Sequence, residues 1–170
     1  MKRKLISSVL LGVMLVWGSG LTASAAVPYA SPTLKAQLRY IVEEEKLARD
    51  VYTILAAQAY NPRFANIARA EQIHMNEAAA VLKTYGIWNP TLNRAAGVFF
   101  NKDLAALYKS LVAKGTQSIA DAYAVGVLIE ERDIADLVKM AEGVTQTDIL
   151  FMINSLRAGS MNHLNAFKRY

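Results

Sequence analysis

Apolar residues return every three or four positions along five stretches of this chain, the spacing that puts side chains on one face of an α-helix. Leu34, Leu38, Ile41, Val42, Tyr52 and Leu55 form the first stripe, and Ser31-Pro32 ahead of it reads as an N-cap with proline in the first helical position. Helix A is expected over 32–58. Asn61-Pro62 repeats the start, Phe64, Ile67, Ala68, Met75, Ala78 and Leu82 supply the face, and Gly86 supplies the stop. Helix B is expected over 62–85, antiparallel to A across the short link.

Between Gly86 and Ser118 the periodicity breaks. Asn89-Pro90, Gly97 and Phe99-Phe100 precede a short amphipathic piece carrying Leu104, Leu107, Tyr108 and Leu111, which ends at Gly115. Ser118 with Asp121 predicts the cap of helix C, which reaches Glu142 before Gly143, and Thr145 with Asp148 predicts the start of helix D, which runs to the C-terminus. Alternating strand patterns are missing. Two helical hairpins joined by a long connection predict an all-α fold, a four-helix bundle with one crossover carrying a short extra helix.

The N-terminus follows another pattern. Lys2, Arg3 and Lys4 precede the apolar run Leu5 to Trp17, and Ala23, Ser24 and Ala25 follow, the three-part layout of a secretory leader. The expected organisation is a leader over 1–25 and a bundle domain over 26–170, exported to a periplasm or beyond. The alternative, an uncleaved anchor, has a run shorter than the roughly 20 residues a spanning helix needs. Cleavage removes three of the 19 Lys and Arg and none of the 14 acids, so the formal charge falls from +5 to +2. The basic balance is therefore largely the leader's, and the scattered basic residues that remain form no nucleic-acid stripe. No membrane association is expected after cleavage. Cysteine is absent, which excludes disulfides, thiol catalysis and thiolate metal sites.

The inward polar residues carry the chemistry. At 100 degrees per residue, Glu45 lies near the middle of helix A's stripe, while Glu43 points nearly opposite and Glu44 sits at its margin. On helix B, Glu71 and His74 project together; on helix C, Glu130 and Asp133 do the same; on helix D, Ser160 and His163 share the apolar face. Glu43, Glu77, Glu131, Asp136 and Glu142 read as solvated. A lone histidine on a helix face is usually an ordinary core or boundary residue. With apolar faces covering roughly a third of each helix, both histidines turn inward by chance about once in nine.

Carboxylates buried among apolar residues are costly unless a positive charge joins them. Arg49 can serve one acid but not four. Two hard or borderline cations suit four carboxylates and two imidazoles in charge and in ligand number. Metal ions are thus the expected partners, with Glu45, Glu71, His74, Glu130, Asp133 and His163 as ligands. Tyr52, seven residues after Glu45, can hydrogen-bond a ligand carboxylate on another helix.

Carboxylates from two helices with a Glu-x-x-His pair from the others describe ferritin-like di-iron or di-manganese bundles, and this chain resembles that class. Glu45-Lys-Leu-Ala-Arg-Asp-Val-Tyr52 resembles the first-helix motif of rubrerythrins, Glu71-Gln-Ile-His74 their second, and Glu130 with Asp133 their third. The departure is helix D, where Glu-x-x-His becomes Ser160-Met-Asn-His163. Over its mature length the chain also resembles a ferritin-like bacterial family known as domain of unknown function 2202. The motifs are Glu-Glu-Glu-Lys-Leu-Ala-Arg-Asp-Val-Tyr, Ala-Glu-Gln-Ile-His-Met, Ile-Glu-Glu-Arg-Asp-Ile and Gly-Ser-Met-Asn-His-Leu.

The leader pattern, the six-residue constellation and the resemblance together lead to the expectation of an exported protein holding two iron ions, with manganese as the alternative, that oxidises Fe(II) or reduces dioxygen or peroxide. A homodimer is the candidate assembly. The competing expectation is a helical binding or structural protein, metal-stabilised or metal-free, that catalyses nothing and acts through its surface, for example along the crossover with Trp88, Phe99 and Phe100. Gly159, inside helix D, reads equally as a bend or as room for a close helix approach.

Overall fold

A computed structural model of the chain describes residues 27–58 and 61–169. The secretory leader expected over 1–25 lies outside the described residues. Five helices follow in order: α1 Pro32–Ala57, α2 Pro62–Thr84, α3 Lys102–Gly115, α4 Ile119–Ala141 and α5 Thr147–Phe167. There is no strand among the described residues.

The start signals act as their chemistry requires. Ser31 accepts from the Leu34 amide at 3.1 Å, Asn61 from Arg63 at 2.8 Å and Ser118 from Asp121 at 3.0 Å, each satisfying an amide that the first helical turn leaves unpaired. Gly86 closes the α2 end with φ +60, a conformation that a side chain disfavours. The start of α5 departs from expectation. Gln146, not Thr145, occupies the N-cap, and it makes no side-chain cap bond. Asp148, expected to complete that cap, instead accepts from the Tyr85 hydroxyl at 2.8 Å and ties α5 to the end of α2.

Four long helices form a ring in which α1 touches α2 and α4, and α5 touches α2 and α4. Glu45 and Arg49 of α1 meet His74 and Gln72 of α2, and Gly126 and Asp133 of α4 meet Phe167 and Ser160 of α5, so both hairpins are antiparallel. Consequently α2 and α4 run the same way on one diagonal, which only a connection as long as residues 85–118 permits. Helix α3 packs on α1 and α4. No described helix is long and apolar enough to cross a membrane.

The apolar core is in two parts. One cluster holds Leu34, Leu38, Ile41 and Val42 with Leu82, Leu137, Ile149 and Leu156; the other holds Leu47, Val51 and Leu55 with Phe64, Leu104, Ile129 and Phe167. Each fully buried Leu or Phe contributes about 2 kcal/mol of transfer free energy. The layer between them is polar.

Candidate metal centre

Each long helix sends its polar groups into that layer from one face, because residues three apart project together. Glu45 comes from α1, Glu71 and His74 from α2, Glu130 and Asp133 from α4, Ser160 and His163 from α5. The acids and Ser160 are at most 5% exposed and His74 8%. The His163 side chain is 12% exposed.

Glu71 stands at the middle. Its Oε2 lies 2.8 Å from His74 Nδ1 and its Oε1 lies 2.8 Å from His163 Nδ1. The first contact is a hydrogen bond. The second has the distance without the alignment, so Glu71 Oε1 and His163 Nδ1 are both buried without a hydrogen-bond partner. Glu45 Oε2 stands 3.4 Å from His74 Nδ1, and Glu130 Oε1 stands 3.7 Å from His163 Nδ1. The imidazole rings stack with centroids 5.5 Å apart. Glu71, His74 and His163 form a triad whose donor atoms all lie within 4.8 Å of one another, close enough to hold a metal ion.

Asp133 meets Ser160. The serine Oγ is 2.6 Å from Asp133 Oδ2 and 3.0 Å from the Leu156 carbonyl oxygen. A hydroxyl has one proton to donate. A protonated Asp133 that donates to Ser160, while Ser160 donates to Leu156, satisfies both contacts, and burial together with the charge of Glu45 pushes Asp133 well above the usual carboxylate range.

Charge in the layer is balanced by protons when no cation supplies it. Burial raises Glu45 to about 8 and Glu130 to about 7, with the charge of Glu71 adding to both. Burial alone would lower the imidazoles, but the hydrogen bond of Glu71 and the nearby carboxylates of Glu45 and Glu71 lift His74 to about 11, and the nearby carboxylates of Glu130 and Glu71 lift His163 to about 9. Burial pushes Glu71 up as well, yet the two imidazoles overcome it and hold that carboxyl at about 2.

Four atoms of the layer are buried without a partner: Glu45 Oε1, Glu71 Oε1, Asp133 Oδ1 and His163 Nδ1. An unpaired buried polar atom costs about 1–3 kcal/mol, and a cation among them removes that cost. Mixed carboxylate and imidazole donors suit borderline divalent ions such as iron, manganese or zinc. Binding requires neutral imidazoles and ionised carboxyls, so it must release protons.

Two residues fix the geometry from outside. Tyr52, fully buried, donates to Glu130 Oε1 at 2.7 Å, as its spacing from Glu45 suggested. Gly159 lets α5 come against His74: a Cβ there would sit 2.3 Å from His74 Nε2, so the glycine is room for a close approach rather than a bend.

The sequence projection misjudged the rest of the acidic run. Glu43 and Glu44, read as outward and marginal, are each 2% exposed, as are Glu45 and Asp50, while Lys46 is fully buried. The crossover and α3 cover the side of α1 that the projection assigned to solvent, and a projection records only an angle from the apolar stripe. Glu43 accepts from the amides of Phe100 and Asn101. Lys46 bridges Asp50 Oδ2 at 2.5 Å and the Ala95 carbonyl at 2.8 Å, over the Phe99 ring. Asp50 also accepts from Gly97 at 2.9 Å. Arg49 serves Asp50 and Gln72, not the central acids. The one hint was Lys46 and Asp50 at i,i+4, a pairing that reads the same when solvated.

A protein-family model described as "Uncharacterized protein domain (DUF2202)" matches residues 35–170, a stretch that contains all six candidate donors. Over 127 residues the chain is 46% identical to "Uncharacterized protein MJ0754" of Methanocaldococcus jannaschii, covering 75% of this chain and 69% of that protein. The crystal structure of hypothetical protein MJ0754 from Methanococcus jannaschii superposes with a TM-score of 0.82 at 43% identity, covering 86% of this chain and 84% of that one.

Proposed function

The chain belongs to the DUF2202 family, and on that footing we propose a ferritin-like, rubrerythrin-related carboxylate protein that binds two transition-metal ions, iron first and manganese as the alternative. The observation that carries the reading is Glu71, a single carboxylate with one oxygen 2.8 Å from each of two imidazole nitrogens. That placement would let the one carboxylate help to hold two ions. Glu45 and His74 would hold one ion, Glu130 and His163 the other, and Asp133 would supply the carboxylate that Ser160 lacks. Such ions supply redox chemistry toward dioxygen, peroxide or Fe(II), giving ferroxidase, oxidase or peroxide-reducing activity.

The chain's own residues do the positioning. Tyr52 orients Glu130 through its hydrogen bond. The two apolar clusters keep bulk water from the layer above and below. Ser160, shorter than a glutamate, would leave the fourth helix a donor short, and a position kept open is what reactivity needs and a closed structural site avoids. The leader motif at residues 2–25 supports export.

A second reading retains the metal without turnover. Trp88 and Phe100, 53% and 60% exposed, meet edge to face on the crossover with centroids 5.1 Å apart, a surface suited to contact with a partner.

Elemental analysis of protein made in iron- and manganese-supplemented medium, beside a His74→Ala, Glu130→Ala double variant, tests the proposal. About two equivalents in the parent, lost in the variant, with saturable consumption of Fe(II) or peroxide, is the expected result. Metal without turnover favours the second reading. A parent protein that takes up neither metal overturns the first.

A further inference from the structure

Glu44 does no work for the centre just described, yet its carboxylate is buried beside it. Its Oε1 accepts from Arg132 Nε at 3.0 Å and from the Tyr40 hydroxyl at 3.3 Å. Its Oε2 is buried with no hydrogen-bond partner. Glu44 lines a cavity of about 120 Å³ between α1, α3 and α4, whose other walls are Leu47, Leu107, Leu111, Leu128, Ile129 and Arg132.

Two groups extend this position in opposite directions. Inward lies Asp133, which when ionised acts on Glu44 more strongly than any other acid, and whose Oδ1 is likewise buried and unpartnered. Asp133 in turn touches Ser160 in the central layer. Outward lies Arg132, its side chain 46% exposed, with Asp136 3.8 Å from Nε. Tyr40 and Asp136 also line an open groove of about 380 Å³. Asp136, Asp133 and Glu130 fall three apart along α4, so acids mark each step from the groove to the layer.

Anchoring Arg132 does not require such burial. A surface carboxylate holds an arginine at no desolvation cost, whereas a buried, half-satisfied one costs about 1–3 kcal/mol. The arrangement makes sense for a ligand that passes. We infer that Glu44 and Asp133 form a relay for divalent cations travelling from the Tyr40–Asp136 groove to the Glu71–His74–His163 centre, with Arg132 as a cover that swings aside. The inference rests on the metal-binding reading above. Arg132 suits the role because its long side chain is half exposed, held among the described residues only through Glu44, Tyr40 and Asp136, and its charge stands in for the cation while the path is closed.

Stopped-flow loading with Co(II) ions, followed by their visible absorption, tests this on the full chain freed of metal. Lines of one charge sign accelerate uptake of the opposite charge by about 10–1,000-fold. Glu44→Gln is expected to slow loading at least about tenfold, and Arg132→Ala to speed it, while the final amount bound stays that of the parent. Release should change by the same factor, since the affinity does not. Asp136→Asn, at the exposed end, is expected to slow loading in a salt-dependent way and keeps the test decisive if Glu44→Gln folds poorly. Parent-like rates in Arg132→Ala and Asp136→Asn overturn the relay. So does Glu44→Gln protein that binds fewer or weaker ions at an unchanged loading rate, because Glu44 would then support the centre rather than the path. A parent chain that takes up no Co(II) overturns the centre itself, a result distinguishable from both.

Discussion

Gly159→Ala separates what holds the fold from what shapes the site. The added methyl would lie 2.3 Å from His74 Nε2 and 2.4 Å from Cε1, against 3.4 Å for ordinary contact, so the ring or helix α5 must retreat by about 1.1 Å. The ring is not free to do so. Its Nδ1 is held by Glu71 at 2.8 Å, and its face stacks on His163. Overpacking costs about 1–3 kcal/mol, and alanine returns about 1 kcal/mol of helix propensity, leaving a net loss of at most about 2 kcal/mol. Moving a ligand's support by that distance lowers metal affinity by about 10–100-fold. Urea unfolding of the metal-free variant measures the first quantity, and a Co(II) titration against a competing chelator measures the second. Parent affinity in a folded variant would refute the claim that α5 sets the position of His74. A stability loss beyond about 5 kcal/mol would show that the contact serves the fold instead.

Other outcomes follow from the same layer. Glu45 and Glu130 keep their protons to about 8 and about 7 against 4.5 when unfolded, and His74 and His163 keep theirs to about 11 and about 9 against 6.5. Above pH 4.5 the folded state therefore binds more protons, and stability falls as pH rises; Glu71, held at about 2, acts oppositely only below 4.5. The melting temperature of metal-free protein should fall between pH 5 and 8, and bound metal should reduce that fall; a rise over this range contradicts the protonation scheme. Tyr52→Phe removes the donor to Glu130, so it should cost about 1–2 kcal/mol in urea unfolding and weaken Co(II) binding about tenfold; unchanged binding would leave Tyr52 a core residue only. Lys46→Met takes one of two cations from buried Asp50 and leaves the Ala95 carbonyl without its lysine, for a loss of about 3 kcal/mol in urea unfolding; less than about 1 would mean that Arg49 suffices for Asp50.

Helix starts and the inward set were legible because both depend on near-neighbour geometry. Ser31-Pro32 and Asn61-Pro62 act within one turn, and Glu71 with His74 or Glu130 with Asp133 needs only the helical pitch. Whatever depended on a distant segment was not legible. Glu43 looked outward because nothing near it in sequence announces that Phe100 and Asn101 will cover it. Gln146 rather than Thr145 caps α5, and Asp148 pairs with Tyr85, 63 residues away. Gly159 could not be assigned a purpose until His74 stood across from it.

The division of the core has a consequence for how such a chain can change. Each apolar cluster draws on all four long helices, so the two ends act as a chassis and the polar layer between them as a cassette. On the metal-binding proposal, a donor could then be traded singly, as serine at position 160 beside Asp133 would illustrate, and the bundle would persist while its appetite for one metal or another is retuned.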